Sequence, residues 1–405
     1  MAWKADKWWT SPYNWLEEVR ARYSLPEKVT FHDVTLRDGE QQPGIVFRKE
    51  DKVKIAYALD DMGVQRIEAG MPAVSAEDFD AVKTIANAGL KAKVMTFCRA
   101  RRDDVDLALK CGASGVVIEV PSSKALLEKG FLWTEDRVYS MCLDSLSYAK
   151  EHGLYVVFFP YDTTRAEWSF VSRLMTMGVK EAHVDALAVI DTFGCTLPDA
   201  FTYLVRKVKD LTGAPVEVHT HNDFGLAVVN SIAGVCGGAE VVHGTINGLG
   251  ERCGNAPLEE VAVGLLTLLG IDTGIKYDRI VEVSKLVRQL AGVTLSPGKP
   301  IVGENCLTVE SGISAMFAKR LSDAGALTGA FPYLPELVGQ EFRIVLGKKS
   351  GTHSIAAKLQ EIGAKATEEQ MEQMLTKVKA LSIEKRGLVT KEEFVQIVNS
   401  VLAGK

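Results

Sequence analysis

The chain has 405 residues, a length that fits one barrel domain of about 250 residues and a smaller second part. Hydrophobic residues make up 47% and charged residues 24%, and the net charge of −5 excludes the basic stripe of a nucleic-acid binder. No run of about 20 apolar residues occurs, so we predict no membrane span. The seven cysteines are scattered and the N-terminal segment lacks an apolar signal core, so we expect free thiols and a cytoplasmic protein.

From residue 29 to 270 the chain repeats one unit: a short apolar run, a loop and an amphipathic helix pattern. The runs are VTFHDV (29–34), VQRIEAG (64–70), KAKVMTF (91–97), GVVIEV (115–120), LYVVFF (154–159), EAHVDAL (181–187), PVEVHTH (215–221) and EVVHGTI (240–246). Eight strands alternating with helices predict parallel β-α-β units. A doubly wound sheet would place a Gly-rich phosphate loop after strand 1, where this chain has TLRDGEQQPG. We therefore predict an α/β fold, a (β/α)8 TIM barrel.

Three segments are predicted around this repeat. Residues 1–27 form an N-terminal extension rich in tryptophan, and residues 28–272 form the catalytic barrel. Residues 273–405 form a mostly helical C-terminal region, with a Pro/Gly linker around 295–305.

Two histidines at the end of the seventh run suggest a metal site. His219 and His221 are two residues apart, so both imidazoles face the same side of a strand, either the barrel mouth or the helices. Two imidazoles and a carboxylate bind a divalent cation and leave positions open for substrate. The carboxylate would come from the end of strand 1, where Asp33, Asp38 and Glu40 all qualify. Non-haem iron oxygenases use the same donor set, but their usual folds are β-rich.

Several motifs, in the same order along the chain, resemble one known family. They are DVTLRDGEQQPG (33–44), HTHNDFG (219–225), GLGERCGNAPLEE (248–260), PIVGEN (300–305), VESGIS (309–314), PELVGQ (335–340) and IVLGKKSG (344–351). From about residue 28 onward, the chain is identified as a member of the isopropylmalate synthase and homocitrate synthase family, in the superfamily of hydroxymethylglutaryl-CoA lyase. The resemblance implies that the enolate of an acyl-CoA, such as acetyl-CoA, attacks a 2-oxo acid bound to Mg²⁺, Mn²⁺ or Zn²⁺, and that the thioester is then hydrolysed. It also implies a homodimer.

The family's motifs assign four metal contacts. The residue after the motif's arginine is the metal ligand, which selects Asp38 over Asp33 and Glu40. His219 and His221 match the two imidazole ligands. Asn255 matches a fourth contact that parts of the family use.

The resemblance assigns three further residues to the substrate. Arg37 would lie beside the ketone oxygen and stabilise the negative charge that develops there. Thr192 matches a residue that hydrogen-bonds the substrate carboxylate. Gln41, in the same motif as Arg37, is a further substrate-binding candidate.

The chain departs from the family pattern at two places. Strand 5 of the family ends in FSPED or FSSED, whereas this chain has FFPYD (158–162), with Phe159 for the serine and Tyr161 for the catalytic glutamate. A phenol is a poor base at neutral pH but can donate a hydrogen bond or a proton. The family's HESGIH segment reads VESGIS here, so Val309 and Ser314 replace both histidines.

These changes leave open which residue takes the proton from the acyl-CoA methyl group. Glu119, at the end of strand 4, shares parity with positions that face the barrel mouth and is the first candidate; Glu310 is a weaker one. The structural alternative for Glu119 is an ion pair with Arg99 or Arg101. Two other functions remain open besides a synthase: a carbon–carbon lyase that uses the same metal site, and a ligand-binding pseudoenzyme without turnover.

Phe159 also bears on the choice of substrate. Its ring fills part of the pocket for the oxo-acid side chain, and overpacking costs about 1–3 kcal/mol. We therefore predict a small 2-oxo acid such as pyruvate, oxaloacetate or glyoxylate, converted to a 2-hydroxy-2-alkyl di- or tricarboxylic acid and CoA. Arg99 is a candidate for binding a second carboxylate of that acid.

Overall fold

The computed structural model describes residues 3–404. Eight parallel strands follow one another around a closed barrel, and the last pairs with the first. They are β1 (Thr30–Asp33), β2 (Arg66–Glu68), β3 (Lys93–Arg99), β4 (Gly115–Pro121), β5 (Tyr155–Tyr161), β6 (Ala186–Asp191), β7 (Val216–Thr220) and β8 (Val241–Gly244). The predicted (β/α)8 barrel is confirmed.

A helix follows each strand. The helices are α1 (Lys49–Met62), α2 (Ala76–Ala86), α3 (Arg102–Cys111), α4 (Glu135–Glu151), α5 (Trp168–Lys180), α6 (Pro198–Thr212), α7 (Ala227–Cys236) and α8 (Leu258–Gly264), and α9 (Ile280–Ala291) comes next. Local sequence sets their ends: Ser75 caps α2 by accepting a hydrogen bond from the N–H of Asp78, and Gly63 ends α1 at φ +93°. Within residues 3–404 no helix is long and apolar enough to cross a bilayer. All seven cysteines are free.

The sixth strand lies later than predicted. Residues 181–187 were expected to form it, but β6 begins at Ala186 and ends at Asp191. Helix α5 is followed by a tight turn, in which the N–H of Ala182 donates to the carbonyl of Met177 and His183 adopts a left-handed φ of +54°. A strand cannot continue through a left-handed residue, so the extended segment starts only after the turn.

The barrel interior is apolar on one side and charged on the other. Alternate residues of β3 to β6 form the apolar side: Met95, Phe97, Val117, Val157, Phe159, Ala186, Ala188 and Ile190. Buried polar residues of β1, β2, β7 and β8 form the other side: His32, Arg66, Glu68, Glu217, His219 and His243. Side chains in strands alternate between faces, so each set occupies every second position.

The C-terminal region is a separate compact unit made of residues 3–10 and 296–404. Its helices are α10 (Gly312–Asp323), α11 (Thr352–Glu361), α12 (Glu368–Lys385) and α13 (Lys391–Leu402), and Thr308–Val309 pairs in parallel with Arg343–Ile344. Apolar side chains of α11 to α13 form its core: Ile355, Leu359, Met374, Val378, Phe394, Ile397, Val398 and Val401.

The compact units differ from the predicted segments at two places. Residues 3–10, predicted as part of an extension, belong to the C-terminal unit because the N–H of Trp9 donates to the carbonyl of Pro332 and that of Leu334 to the carbonyl of Lys7. Helix α9, predicted in the C-terminal region, belongs to the barrel unit and packs against α1. The barrel unit therefore spans residues 11–295, and its boundary meets the start of the predicted linker.

Replacing Thr390 by alanine is expected to lower the free energy of unfolding of the C-terminal unit by about 1 kcal/mol. Thr390 caps α13: its hydroxyl accepts from the N–H of Glu393 at 3.3 Å, and the Glu393 carboxylate accepts from the N–H of Thr390 at 2.7 Å. Urea unfolding followed by circular dichroism measures the loss. The control is Thr376→Ala in the exposed middle of α12, where alanine is the better helix former. Equal losses in the two variants would contradict the capping role.

Candidate active site

A cavity of about 580 Å3 opens at the C-terminal ends of the barrel strands. Nine of the residues predicted for the site line it: Arg37, Asp38, Gln41, Glu119, Phe159, Tyr161, Thr192, His219 and His221. Two predicted residues do not, Arg99 and Asn255. Catalytic residues of closed parallel barrels come from these strand ends, so the cavity is the candidate active site.

Three donor atoms converge in the cavity. Oδ2 of Asp38 lies 3.3 Å from Nε2 of His219 and 3.8 Å from Nε2 of His221, and the two Nε2 atoms are 3.1 Å apart. All three side chains are buried, and both imidazoles face the barrel interior rather than the helices. Ligand bonds of about 2.1 Å place neighbouring donor atoms about 3.0–3.4 Å apart. Two of the three distances fall in this range and the third exceeds it by a few tenths of an ångström, so a small movement of His221 would let the three atoms bind a single divalent cation.

Tight turns place this cluster. After β1 the N–H groups of Arg37 and Asp38 both donate to the carbonyl of Val34, which brings Asp38 over the barrel mouth. After β8 the backbone of Gly250 has φ +148°, and a Cβ there would lie 3.0 Å from Oδ1 of Asp38 and would clash with the Asn255 amide. Glycine at 250 therefore lets this loop close over the site.

Asn255 lies behind the cluster. Its Nδ2 donates to the carbonyl of Leu249 at 3.1 Å, and its backbone pairs with His221. Its Oδ1 is buried and accepts no hydrogen bond from the residues that the structure describes. A buried acceptor without a donor is costly, so this oxygen suits a further cation contact.

The charges of the cluster also suit a cation. Burial favours the neutral form of Asp38, but Arg37 and the two imidazoles outweigh it and hold its pKa well below the usual value. Burial lowers the pKa of His219, and it lowers that of His221 to about 4. At neutral pH the site therefore holds one carboxylate and two neutral imidazoles, the forms that bind metal ions.

Arg37 is held on two of its three nitrogens. Nε donates to Glu68, and Nη1 donates to Asp38 at 3.2 Å and to Gln41 at 3.0 Å. The guanidinium lies 3.9 Å from the ring centroid of Phe97. Nη2 is buried and has no hydrogen-bond acceptor among residues 3–404. A fixed guanidinium with one open donor is suited to bind an oxygen of the substrate.

Glu119 projects into the same cavity without the ion pair that was the structural alternative. Arg99 binds Asp104 through two hydrogen bonds of 2.8 Å, and Arg101 binds Asp103 at 2.8 Å. Burial raises the pKa of Glu119 to about 7, partly offset by Arg37. A carboxyl group with a pKa near neutrality is suited to general acid–base work.

Tyr161 and Phe159 lie on β5, next to Glu119 on the neighbouring strand β4. Burial and the charge of Glu119 raise the pKa of Tyr161 above its ordinary value, so the phenol stays protonated and is available as a donor. The ring of Phe159 contacts His219 edge-on, with centroids 5.2 Å apart, and Phe97 at 5.6 Å. Phe159 therefore forms an apolar wall next to the metal-ligand cluster.

Thr192 lies just after β6, the strand next to β5. Its Oγ1 accepts from the N–H of Asp162 at 2.7 Å, which leaves the hydroxyl proton free for another acceptor. Arg252 donates to the carbonyl of Thr192 and binds Asp223 at 2.8 Å. The N–H of Asp162 thereby orients the Thr192 hydroxyl, and Arg252 holds the backbone of the same residue.

The structure does not bring Arg99 to this cavity. Its two hydrogen bonds with Asp104 hold it at the start of α3, where it lines a neighbouring cavity of about 480 Å3. That cavity shares Glu119 and Tyr161 with the first. Two of the three guanidinium nitrogens of Arg99 are therefore occupied by Asp104.

Lys52 and its two carboxylate partners were not among the residues predicted for the site. Lys52 is 2% exposed, and its Nζ lies 2.6 Å from both Glu40 and Asp78 in the cavity wall. No sequence signal pointed to its burial, because a lysine in an amphipathic helix normally faces solvent. The ion pair with Lys52 therefore gives Glu40 a partner away from the imidazoles. Asp33 accepts hydrogen bonds from the N–H and the hydroxyl of Thr35, both at 2.9 Å. Of the three acids after strand 1, Asp38 alone contacts the imidazoles among the described residues.

Glu310, the weaker base candidate, belongs to the C-terminal unit. Its Oε1 accepts from the N–H of Lys349 at 2.9 Å. The side chain thereby ties the segment after Val309 to the loop before α11, which is a structural role.

Comparison with known families shows to which family the chain belongs. The HMGL-like family matches residues 28–287, and the family described as homocitrate synthase post-HMGL domain-like matches residues 301–386. The chain belongs to the HMGL-like family. The family predicted from the motifs is thus confirmed.

Curated relatives of this HMGL-like protein are synthases. Homocitrate synthase AksA of Methanopyrus kandleri is 40% identical over 98% of this chain and 97% of its own length. The putative (R)-citramalate synthase CimA of Archaeoglobus fulgidus is 43% identical over 93% and 76%, and 2-isopropylmalate synthase of Methanocaldococcus jannaschii 40% over 96% and 74%. The prediction of an enzyme of the synthase class, an acyltransferase, is confirmed.

A solved structure agrees on the barrel. The HMG-CoA lyase of Bacillus subtilis superposes with a TM-score of 0.61 at 20% identity and covers 69% of this chain and 98% of its own. At this identity the match bears on the fold alone.

Proposed function

We propose that this HMGL-like enzyme condenses acetyl-CoA with a small 2-oxo acid, with the help of a divalent cation, and releases a 2-hydroxy-2-alkyl di- or tricarboxylic acid and CoA. One observation carries the proposal: Asp38, His219 and His221, which could hold a cation, line the same cavity as Arg37 and Glu119. The named relatives, which are homocitrate, citramalate and isopropylmalate synthases, support the same reaction class.

The chain's own residues would bind and orient the oxo acid. Asp38, His219 and His221, with Oδ1 of Asn255, would hold the cation, which when bound acts as a Lewis acid that polarises the ketone. The hydroxyl of Thr192 would donate to the substrate carboxylate.

Two further side chains would act on the reacting atoms. Glu119 would take a proton from the methyl group of acetyl-CoA as the C–H bond breaks, and that carbon would form the new C–C bond to the keto carbon. Nη2 of Arg37 would donate to the keto oxygen as it gains negative charge, and this oxygen then takes up a proton. Water would hydrolyse the thioester and release CoA as a free thiol. Tyr161, which stays protonated, would donate a hydrogen bond near Glu119.

A matrix of acyl-CoA and 2-oxo acid pairs tests the proposed reaction. The readout is the thiol released, measured with Mg²⁺, Mn²⁺ or Zn²⁺ and again after chelation. We expect release only when both substrates and a cation are present, with acetyl-CoA and a small oxo acid as the best pair. Release without an oxo acid, or no release with any pair, would overturn the proposal. Cleavage of a 2-hydroxy acid in the reverse screen would identify a lyase instead.

Replacing Phe159 by leucine is expected to raise the preference for a branched oxo acid over pyruvate by about tenfold, because removing ring volume relieves an overpacking cost of about 1–3 kcal/mol. The measurement is the ratio of kcat/KM for 2-oxoisovalerate to that for pyruvate. Phe158→Leu is the control: Phe158 is fully buried on the opposite face of β5, next to Gly178 of α5. An unchanged ratio in the Phe159 variant, or an equal change in the Phe158 variant, would contradict the assignment of this wall.

A further inference from the structure

The charged side of the barrel interior forms one connected network beneath the cavity. It begins at Arg37, whose Nε donates to Oε1 of Glu68 on β2. Oε2 of Glu68 lies 3.2 Å from Nε2 of His32 on β1. Glu68 and His32 are completely buried. Oε1 of Glu68 thus accepts a hydrogen bond from Arg37, and Oε2 is in close contact with His32.

A second ion pair lies in the same part of the barrel core. On β7, Oε1 of Glu217 lies 2.6 Å from Nη2 of Arg66, and Oε2 lies 2.7 Å from Nε2 of His243. The rings of His243 and His32 are in contact, with centroids 4.4 Å apart. The two imidazoles thereby brace each other between the ion pairs.

The protonation states of these side chains make the network electrically neutral. Burial would raise the pKa of Glu68 and Glu217, but Arg37 and Arg66 outweigh it and bring both to about 2. Burial lowers the pKa of His32, and it lowers that of His243 to about 4. Two carboxylates then balance two guanidinium groups, and the neutral imidazole of His243 donates through Nε2 to Glu217.

Charge balance also decides against a second cation in the barrel. His32, Glu217 and His243 are close enough together to share an ion. However, Arg66 already neutralises Glu217, so a divalent cation would add two uncompensated charges to a fully buried site. The network is therefore a support for other groups and not a metal site.

The group that it supports is Arg37. Glu68 fixes Nε, while Asp38 and Gln41 fix Nη1, so the plane of the guanidinium is set from below and from the side. This leaves the buried Nη2 as the one guanidinium nitrogen without an acceptor among the described residues, in a side chain that lines the cavity. Without Glu68, the guanidinium keeps only its contacts at the cavity rim and is free to tilt.

We propose that Glu68, braced by His32, is a positioning residue that aims Nη2 of Arg37 at the oxygen on which negative charge develops. This inference rests on the proposed function, since it gives Arg37 its target. It adds that Glu68, a buried residue of the barrel core, serves catalysis through Arg37.

A double-mutant cycle tests the proposal. Glu68→Gln is expected to lower kcat about 10²-fold with little change in KM for the oxo acid, because a misplaced catalytic group costs about that factor. In the Arg37→Lys background the same change should cost less than about twofold, since lysine has no Nε–H for Glu68 to hold. Equal losses of kcat in both backgrounds would overturn the proposal.

The matched control is Glu217→Gln, which breaks the other buried ion pair without touching Arg37. It should lower the melting temperature but leave the Arg37-dependent part of kcat intact. Glu68→Asp is the second variant: it keeps the charge, so it should fold, yet it withdraws the carboxylate and should still lower kcat. A wild-type kcat in Glu68→Asp, or a loss in Glu217→Gln equal to that in Glu68→Gln, would contradict the positioning role.

A spectroscopic readout separates this inference from the proposed function. The Nε–H resonance of Arg37, assigned by its loss in Arg37→Lys, should exchange slowly with water in the wild-type protein, and it should exchange fast in Glu68→Asp but not in Glu217→Gln. Fast exchange in the wild type would overturn the positioning role even if the enzyme turns over. Slow exchange without any thiol release would count against the proposed function alone.

Discussion

Replacing Asp38 by asparagine is expected to abolish retention of the divalent cation and to lower turnover by about three orders of magnitude. Asp38 is the one carboxylate that contacts both imidazoles among the described residues. Asparagine keeps the shape but loses the charge, and Arg37, no longer paired with Asp38, would then repel the cation. Elemental analysis after gel filtration measures the bound metal.

The matched control for Asp38 is Asp33→Asn. Asp33 is equally buried, but both of its oxygens accept from Thr35, and burial raises its pKa to about 7. We expect this variant to keep its cation, because asparagine can still accept a hydrogen bond from the N–H of Thr35. Retention of metal in Asp38→Asn, or its loss in both variants, would rule out Asp38 as the selective ligand.

Sequence periodicity was sufficient to predict the barrel. Apolar runs and helix patterns alternate eight times, and each run except the sixth overlaps its strand almost completely. The sixth failed because EAHVDAL looks extended, whereas His183 takes a left-handed conformation that only the packing of the turn after α5 imposes. A periodic pattern does not carry that information.

Strand periodicity was also sufficient to predict the pair of histidines in the metal cluster, but not the buried ion pairs of the barrel interior. The spacing of His219 and His221 shows that they share one face of a strand. Glu217 has the same parity, so its inward direction was available from the sequence. Its partner His243 lies on the next strand, β8, but Arg66 lies on β2, and the contact between β2 and β7 across the interior follows only from closure of the barrel. The ion pairs therefore needed the structure.

Replacing Glu119 by glutamine is expected to lower kcat by about 10²–10⁴-fold while pyruvate still binds, because general base catalysis contributes about that factor. Glutamine has nearly the same volume but cannot accept a proton. Calorimetric titration with pyruvate and single-turnover thiol release separate binding from chemistry. Glu310→Gln is the control, since its carboxylate holds the N–H of Lys349 and its loss should leave kcat unchanged. Full activity in Glu119→Gln would show that Glu119 is not the base.

The pH dependence distinguishes a base from a residue that only shapes the cavity. Glu119 works as a base only when ionised, and burial raises its pKa to about 7. For the wild-type enzyme kcat/KM should therefore rise about tenfold per pH unit below pH 7 and level off above it. Protonation of His221, with a pKa of about 4, would release the cation only at lower pH, so the two effects fall in separate ranges. The residual activity of Glu119→Gln should lack the limb near pH 7; if that limb persists, another group supplies the base.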